Sequence, residues 1–534
     1  GQSQTVRCRG QVQTQRNTLT YRKEVTEMGM TPYPYMKANI DIILNGKAVV
    51  DFKNLCVMIT EQDDNSPYPV DLPANVLANI VKAVPVVALA APVVASAAEE
   101  LDERGINPFK FPERPLMRVM TDYNSPKEKG VTPILHFEAP QVAGQNRVPN
   151  QAPFTPWHMF EFATGNISNC FGPDFDVYKG RIPPRTPCGD LQVVTQVVEV
   201  KGNRLELEKP SSCIAEYYVP EDAWYFTKNS HDNWMPYSLI MEIALQPNGF
   251  ISGYMGTTLK YPEKDLFFRN LDGSGTLLKQ IDLRGKTIVN KSVLVSTAIA
   301  GGAIIQSFTF DLFVKGERGD DELFYTGKAV FGYFSADSLT NQLGMDKGNT
   351  TNPWFVDNNT PKSDIEVFDL TNKALPFFSA PANKPYYKLA GGQMNFVDTV
   401  SIVEGGGKAG VAYVLGERTI DATDWFFRYH FHQDPVMPGS LGVEAIIELM
   451  QTYALKNDLG AQFTNPRFIA PLTKVDWKYR GQITPVNKQM SLDVHITEVV
   501  TESGEVRLIG DANLSKDGLR IYEVKNIVLS IVEA

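Results

Sequence analysis

At 534 residues the chain is too long for one ordinary domain, and a prior of roughly 100–200 residues per domain predicts three or four units. Its 43% apolar and 21% charged residues are those of a globular protein with several full cores. The net charge of −10, with no Lys/Arg run, argues against a nucleic-acid partner; a local basic patch would still suffice to meet an acidic carrier protein.

Taken in chain order, residues 1–60 read as strands. Residues 61–150 read as a linker, poor in strand periodicity and rich in Pro and Ala, with a helix expected near Ala97–Arg104. The apolar run Ala83–Ala98 is shorter than a spanning helix and carries Pro85 and Pro92, so it is expected to dock on a neighbouring domain, not to cross a membrane. Residues 151–343 and 373–534 read as two full blocks, separated by a turn-rich connection at 344–372. Each full block follows one plan: a short strand region, one long apolar helix, then about four strands. The five cysteines, Cys8, Cys56, Cys170, Cys188 and Cys213, are widely spaced and form no CxxC. That pattern predicts a reducing, cytoplasmic compartment in place of a disulfide framework or a zinc site.

Internal repeats organise these blocks. The last block contains HFHQDPVMPGSLGVEAIIEL and the middle block KNSHDNWMPYSLIMEIALQP. Set against each other, Asp434, Met437, Pro438, Ser440, Leu441 and Glu444 fall on Asp232, Met235, Pro236, Ser238, Leu239 and Glu242. The first block matches the end of the last one: Arg9-Gly10-Gln11 falls on Arg480-Gly481-Gln482, Thr26-Glu27 on Thr497-Glu498, and Lys53-Asn54 on Lys525-Asn526. Residues 1–60 are therefore expected to be the second half of a domain whose first half lies upstream. In the last block, Leu441, Ala445, Ile446, Leu449, Met450 and Tyr453 recur at helical spacing from Pro438 to about Asn457. The strands KQMSLDVHITEVV, EVRLIGDANLS and RIYEVKNIVLSIV alternate well enough to lay one face of an antiparallel sheet on that helix. The fold class is α+β.

The string WFFRYHFHQDPVMPGSLGVEAIIELMQ carries the chemistry. Trp425–Phe431 reads as a strand-like run, Asp434-Pro435 as a turn, and Pro438-Gly439 as the opening of the helix. Gly439 has no side chain, so a substrate carbonyl can approach the backbone, and the free N–H groups of the first turn would hold a developing oxyanion. His430 can project over the same space, and an imidazole with an ordinary pKa of about 6.5 suits a general base. A carboxyl beside it, its pKa raised by burial, would protonate a departing hydroxyl. His432 and His430 would lie on one side of a strand. A His-x-His metal pair is set aside because a helix follows where a further ligand strand would be needed, and His432 is expected to be structural or part of a tunnel wall. Asp434 and Asp232 read as turn-capping carboxylates, and Pro183–Pro187 as a structural loop.

HFHQDPVMPGSLGVEA strongly resembles the active-site signature of the bacterial β-hydroxydecanoyl-ACP dehydratases, and the likeness extends over 373–534. The tandem of related blocks resembles the dehydratase region of polyunsaturated fatty acid synthases. The resemblance implies tandem hot-dog domains, each a sheet wrapped around one central helix, paired as a double hot dog. It implies dehydration of a 3-hydroxyacyl group held on acyl carrier protein, with no metal or organic cofactor and with the other domains of a larger synthase as partners. It implies His430 as base, Gly439 as the close-approach glycine with Ser440 beside it, and Glu444 at the family's acid position. Because hot dogs share sites, the acid for His430 is expected from the middle block as Glu242, followed by Gln246 in an ExxxQ pattern similar to the DxxxQ of polyketide dehydratases. The middle block departs from the family pattern with Lys228 in place of His430 and Tyr237 in place of Gly439. Its own site, holding Glu444, is therefore expected to be dead. The alternative pairs two last blocks of a homodimer and gives His430 with Glu444. A hot-dog thioesterase and a scaffold that only binds acyl carriers are the rival functions.

Overall fold

The computed structural model describes residues 5–8, 19–29, 35–44, 47–58, 152–226, 233–316 and 319–534. The stretch Ala83–Ala98, the helix expected near Ala97–Arg104, and Lys228, His231 and Asp232 lie outside the described residues. The described residues fall into two bodies, one holding residues 5–58 and the other 152–534.

In the smaller body β1 (Thr5–Cys8), β2 (Leu19–Gly29), β3 (Tyr35–Leu44) and β4 (Lys47–Met58) form an antiparallel sheet in the order β1-β4-β3-β2. The first strand pairs with the last, which is not a simple meander.

In the larger body a first half contains β5 (Gln196–Lys201), β6 (Ser211–Tyr218), helix α1 (Tyr237–Tyr254), β7 (Phe267–Leu277), β8 (Thr287–Ala300), β9 (Ala303–Val314) and β10 (Glu322–Phe334). The second half contains β11 (Glu366–Asp369), β12 (Thr399–Glu404), β13 (Ala412–Thr419), helix α2 (Trp425–Tyr429) and helix α3 (Gly439–Lys456). It continues with β14 (Pro466–Ile469), β15 (Lys474–Tyr479), β16 (Gln489–Glu502), β17 (Glu505–Lys516) and β18 (Leu519–Glu533). All fourteen strands share one sheet, in the order β11-β12-β13-β16-β17-β18-β15-β7-β10-β9-β8-β6-β5, with β14 added on β18. β11 comes from the stretch expected to be a connection; its Val367 and Phe368 pair with Ser401 and Val400 at the sheet edge.

The four strands after each long helix repeat the order of the smaller body: β7-β10-β9-β8 and β15-β18-β17-β16. The irregularities repeat too. The ladder is broken between Val25 and Glu27, between Leu294 and Ser296, and between Ile496 and Glu498. Asn54 and Asn526 both take left-handed backbone, at φ 57° and 51°. In both, the amide donates to a side-chain oxygen of the preceding strand, Asn39 Oδ1 at 3.2 Å and Asp511 Oδ1 at 3.1 Å. Bulges and left-handed asparagines cost free energy unless the local geometry requires them, so their recurrence marks one structural unit used repeatedly.

Helices α1 and α3 are apolar on nearly every face and almost wholly buried, as a helix enclosed by sheet must be. α1 packs against β6, β8 and β9, and α3 against β12, β13, β16, β17 and β18; the two helices also pack on each other. A sheet wrapped around one long helix, twice, with the sheets joined edge to edge, is the double hot dog. The join is β7 against β15, where Ser274 pairs with Asp476 and Gly273 with Trp477.

α1 carries Pro247 in its interior, which removes the amide that would have bonded the Ile243 carbonyl. The Asn290 side-chain amide on β8 replaces it, donating to Ile243 O at 2.9 Å and to Ala244 O at 3.1 Å. Asn290→Ala is expected to lower stability by about 1–3 kcal/mol, the cost of leaving a buried carbonyl unpaired. Adding Pro247→Ala should recover most of that loss, read by urea unfolding of both variants.

Candidate active site

The segment before α3 is a helix followed by a tight turn, not the strand its aromatic run suggests. Phe426, Phe427 and Tyr429 are buried, and tertiary packing overrides the strand preference of aromatic residues here. α2 ends at His430, whose amide donates to Phe426 O at 2.9 Å. Gln433, at φ 67°, closes a turn in which Val436 N donates to His430 O at 2.7 Å. His430 Nδ1 lies 2.9 Å from Val436 O. A carbonyl can only accept, so Nδ1 carries the proton and Nε2 is left with its lone pair. Burial pushes the His430 pKa down to about 3, which keeps the ring neutral. His432 is half-buried and does not line the cavity that holds His430.

Glu242 sits on the second turn of α1 and is buried. Its Oε1 accepts from Ser440 Oγ at 2.5 Å, and its Oε2 from Gln246 Nε2 at 2.9 Å. Gln246 is itself anchored: its Nε2 donates to Leu191 O at 2.7 Å and its Oε1 accepts from Val193 N at 3.1 Å. Ser440 and Gln246, expected to bind substrate, thus spend their polar atoms orienting this carboxyl. Burial raises the Glu242 pKa against the lowering effect of those two donors.

His430, Glu242, Gly439, Ser440 and Gln246 all line one cavity of about 100 Å³, with apolar walls from Leu245, Phe268 and Phe331. α3 opens on Pro438, which offers no side-chain cap; Leu441 N donates to Pro438 O at 3.2 Å, and the Gly439 and Ser440 N–H groups before it lack intrahelical partners. The glycine at 439 has a second purpose that the sequence did not disclose. A Cβ there would lie 2.5 Å from the Tyr479 ring, so its absence also seats that tyrosine.

Glu444 is elsewhere. Its Oε2 accepts from Ser238 N at 2.9 Å, and it lines a separate cavity of about 30 Å³ with Trp234, Pro236, Tyr237 and Gln280. There the fully buried ring of Tyr237 takes the place that is open at Gly439. The fold therefore brings together His430 and Glu242 of one chain and leaves Glu444 in the second site.

Arg185, Thr186 and Pro187 also line the main cavity, so the loop read as merely structural forms part of its wall. Arg269, Tyr479, Gly481 and Gln482 line it as well. Sequence reasoning missed all four, although Arg480-Gly481-Gln482 repeats Arg9-Gly10-Gln11. That recurrence in the first and last blocks, and not in the middle one, was the available signal.

Residues 389–525 match the family described as FabA-like domain. A polyunsaturated fatty acid synthase subunit of Thraustochytrium sp. (strain ATCC 26185 / S-3) is 32% identical over 592 residues, covering 99% of this chain. The chain spans 39% of that relative's length. Among solved structures, the dehydratase domain from the CurF module of curacin polyketide synthase overlays with a TM-score of 0.36 at 14% identity, covering 62% of this chain and 97% of that one. The dehydratase domain of RzxB from Pseudomonas fluorescens overlays with a TM-score of 0.34 at 7% identity, covering 59% and 94%.

The stretch that matches this family is tied to the first half of the larger body beside the cavity. Asp434, expected to cap its own turn, instead accepts a two-pronged ion pair from Arg269 of β7, at 2.7 and 2.6 Å. Arg269 Nε donates to Gln482 at 2.5 Å. Both side chains are mostly buried, at 10% and 18% exposure, where a planar, bidentate pair is stronger than on an open surface. A double-mutant cycle of Arg269→Ala and Asp434→Ala is expected to give a coupling of about 1–3 kcal/mol in unfolding free energy. A coupling near zero would mean the pair does not lock the His430 turn.

Proposed function

We propose that this chain dehydrates 3-hydroxyacyl groups, carried as thioesters on acyl carrier protein, to 2-enoyl groups in polyunsaturated fatty acid synthesis. The observation that carries the reading is the shared cavity of His430, Glu242 and the uncapped amino end of α3. His430 Nε2 takes the proton from the carbon next to the thioester carbonyl. The first-turn amides at Gly439 hold the oxygen as it gains charge. The C3–O bond breaks, and Glu242 gives its proton to the leaving hydroxyl, which departs as water. The identity to a polyunsaturated fatty acid synthase subunit supports the pathway, and the FabA-like match supports the chemistry.

Within this reading residues 373–534 are the catalytic hot dog and 151–343 a non-catalytic one. Residues 1–60 are the second half of a further catalytic-type hot dog, supported by the strand order β1-β4-β3-β2 and the recurring irregularities. Carrier protein and the other domains of a larger synthase are the partners, and no cofactor takes part in the steps above.

Incubation with a 3-hydroxyacyl pantetheine thioester, with product mass and double-bond position analysed, tests the activity. His430→Ala is expected to lower kcat by about 10²–10⁴, the range of a lost general base. Glu242→Gln should do the same, while Glu444→Gln should retain most activity. Dehydration no higher in the parent than in His430→Ala, and no higher than without protein, would favour a scaffold, and release of free thiol without enoyl product a thioesterase. The pH dependence follows from the two burial effects. His430 must be neutral, which a pKa of about 3 guarantees at any ordinary pH. Glu242 must hold a proton, which its raised pKa favours and rising pH removes. The profile of kcat/KM should therefore fall on the alkaline side and show no acid limb near pH 6.5; such a limb would contradict a buried, neutral His430.

A further inference from the structure

We infer that the Tyr479 hydroxyl is a hydrogen-bond donor to the acyl thioester itself, at an oxygen of the reacting end. This rests on the reading of the cavity just proposed and adds a residue to it.

Tyr479 ends β15 and is only 5% exposed. Its ring is wedged between the backbone of Gly439 and the ring of Tyr522, whose centroid is 4.2 Å away. A Cβ at position 439 would lie 3.1 Å from the Tyr479 hydroxyl oxygen, so that oxygen sits beside the first turn of α3, where the substrate carbonyl must dock. The hydroxyl is buried and has no hydrogen-bond partner among the described residues, although it lines the cavity with His430 and Glu242.

The polar side chains nearest Glu242 and the His430 turn are engaged, while Gln342 Oε1 and Arg185 Nε of the same cavity also lack a partner among the described residues. Ser440 and Gln246 hold Glu242, and Arg269 holds Gln482 and Asp434. The buried hydroxyl of Tyr237, which lines the second cavity, lies 3.4 Å from that of Tyr325. A buried hydroxyl left without a partner is destabilising, and such groups are rare unless something else completes them. Here the group faces the cavity, its ring is fixed, and the missing acceptor matches the two oxygens of a 3-hydroxyacyl thioester, the carbonyl and the C3 hydroxyl.

Tyr479→Phe removes only the oxygen. With a 3-hydroxyacyl pantetheine thioester, kcat/KM is expected to fall about tenfold, the scale of one lost hydrogen bond. The unfolding temperature should stay level or rise, because a partnerless polar group has been removed from the interior. Affinity for the 3-hydroxyacyl and the 2-enoyl thioester, each measured by calorimetry, locates the contact: weakening of both assigns the carbonyl, and weakening of the first alone assigns the C3 hydroxyl. A variant within twofold of the parent in kcat/KM and in both affinities overturns the inference. So does a variant that loses activity only in step with a lower unfolding temperature, which would make the hydroxyl structural. If the parent binds these thioesters without dehydrating them, the dehydratase reading fails, and the two affinities still decide Tyr479.

Discussion

The carboxyl that faces His430 does not belong to the same module as His430. Glu242 reaches the amino end of α3 only because the opening turns of α1 and α3 meet, with Ser440 of one helix bonded to Glu242 of the other and Ser238 bonded to Glu444 in return. Two features hold that crossing in place. The β7–β15 pairing fuses the sheets into one, and the Arg269–Asp434 ion pair fastens the His430 turn to β7. Separating the halves would remove Glu242 from the cavity of His430 and open that cavity to water, so cavity and interface are one structure.

The crossing creates two related sites, and packing has made them unequal. At the site of His430, a glycine at position 439 leaves room for the Tyr479 ring and for a cavity of about 100 Å³. At the other, the ring of Tyr237 fills that space and the cavity shrinks to about 30 Å³. The middle module diverged in its core as well. Pro247 breaks the hydrogen-bond ladder of α1 and Asn290 repairs it from the sheet, whereas the matching helix α3 is uninterrupted. The middle module keeps the constraint of enclosing its helix and of carrying Glu242 into the cavity of His430.

Burial explains why both groups are in the forms that proton transfer needs. The same dry surroundings press the His430 pKa down and the Glu242 pKa up, since both shifts disfavour charge. Both groups are thereby pressed towards their neutral forms, and the Val436 carbonyl selects the tautomer of His430. Gln246 and Ser440 oppose the shift of Glu242 while fixing its direction, so orientation is obtained at some cost in how firmly the carboxyl keeps its proton.

Periodicity and repetition were enough to place α3 at Gly439–Lys456 and the strands β16, β17 and β18 almost to the residue, because each is a long element whose buried face repeats at its own period. The repeats set Glu242 and Glu444 at matching positions, and the family resemblance, in which hot dogs share sites, made Glu242 the expected neighbour of His430. Short-range reading failed at Trp425–Tyr429, where an aromatic run suits strand and helix alike and only the packing of Phe426 and Phe427 chooses the helix. It also gave Asp434 the local partner that its position before proline suggests, when its real partner is Arg269, 165 residues away. The sequence alone therefore determined the long elements and the repeat, since these are written in patterns along the chain. Tertiary structure decided which side chains close the cavity, because Arg185, Arg269, Tyr479 and Gln482 meet only when two sheets join at one edge.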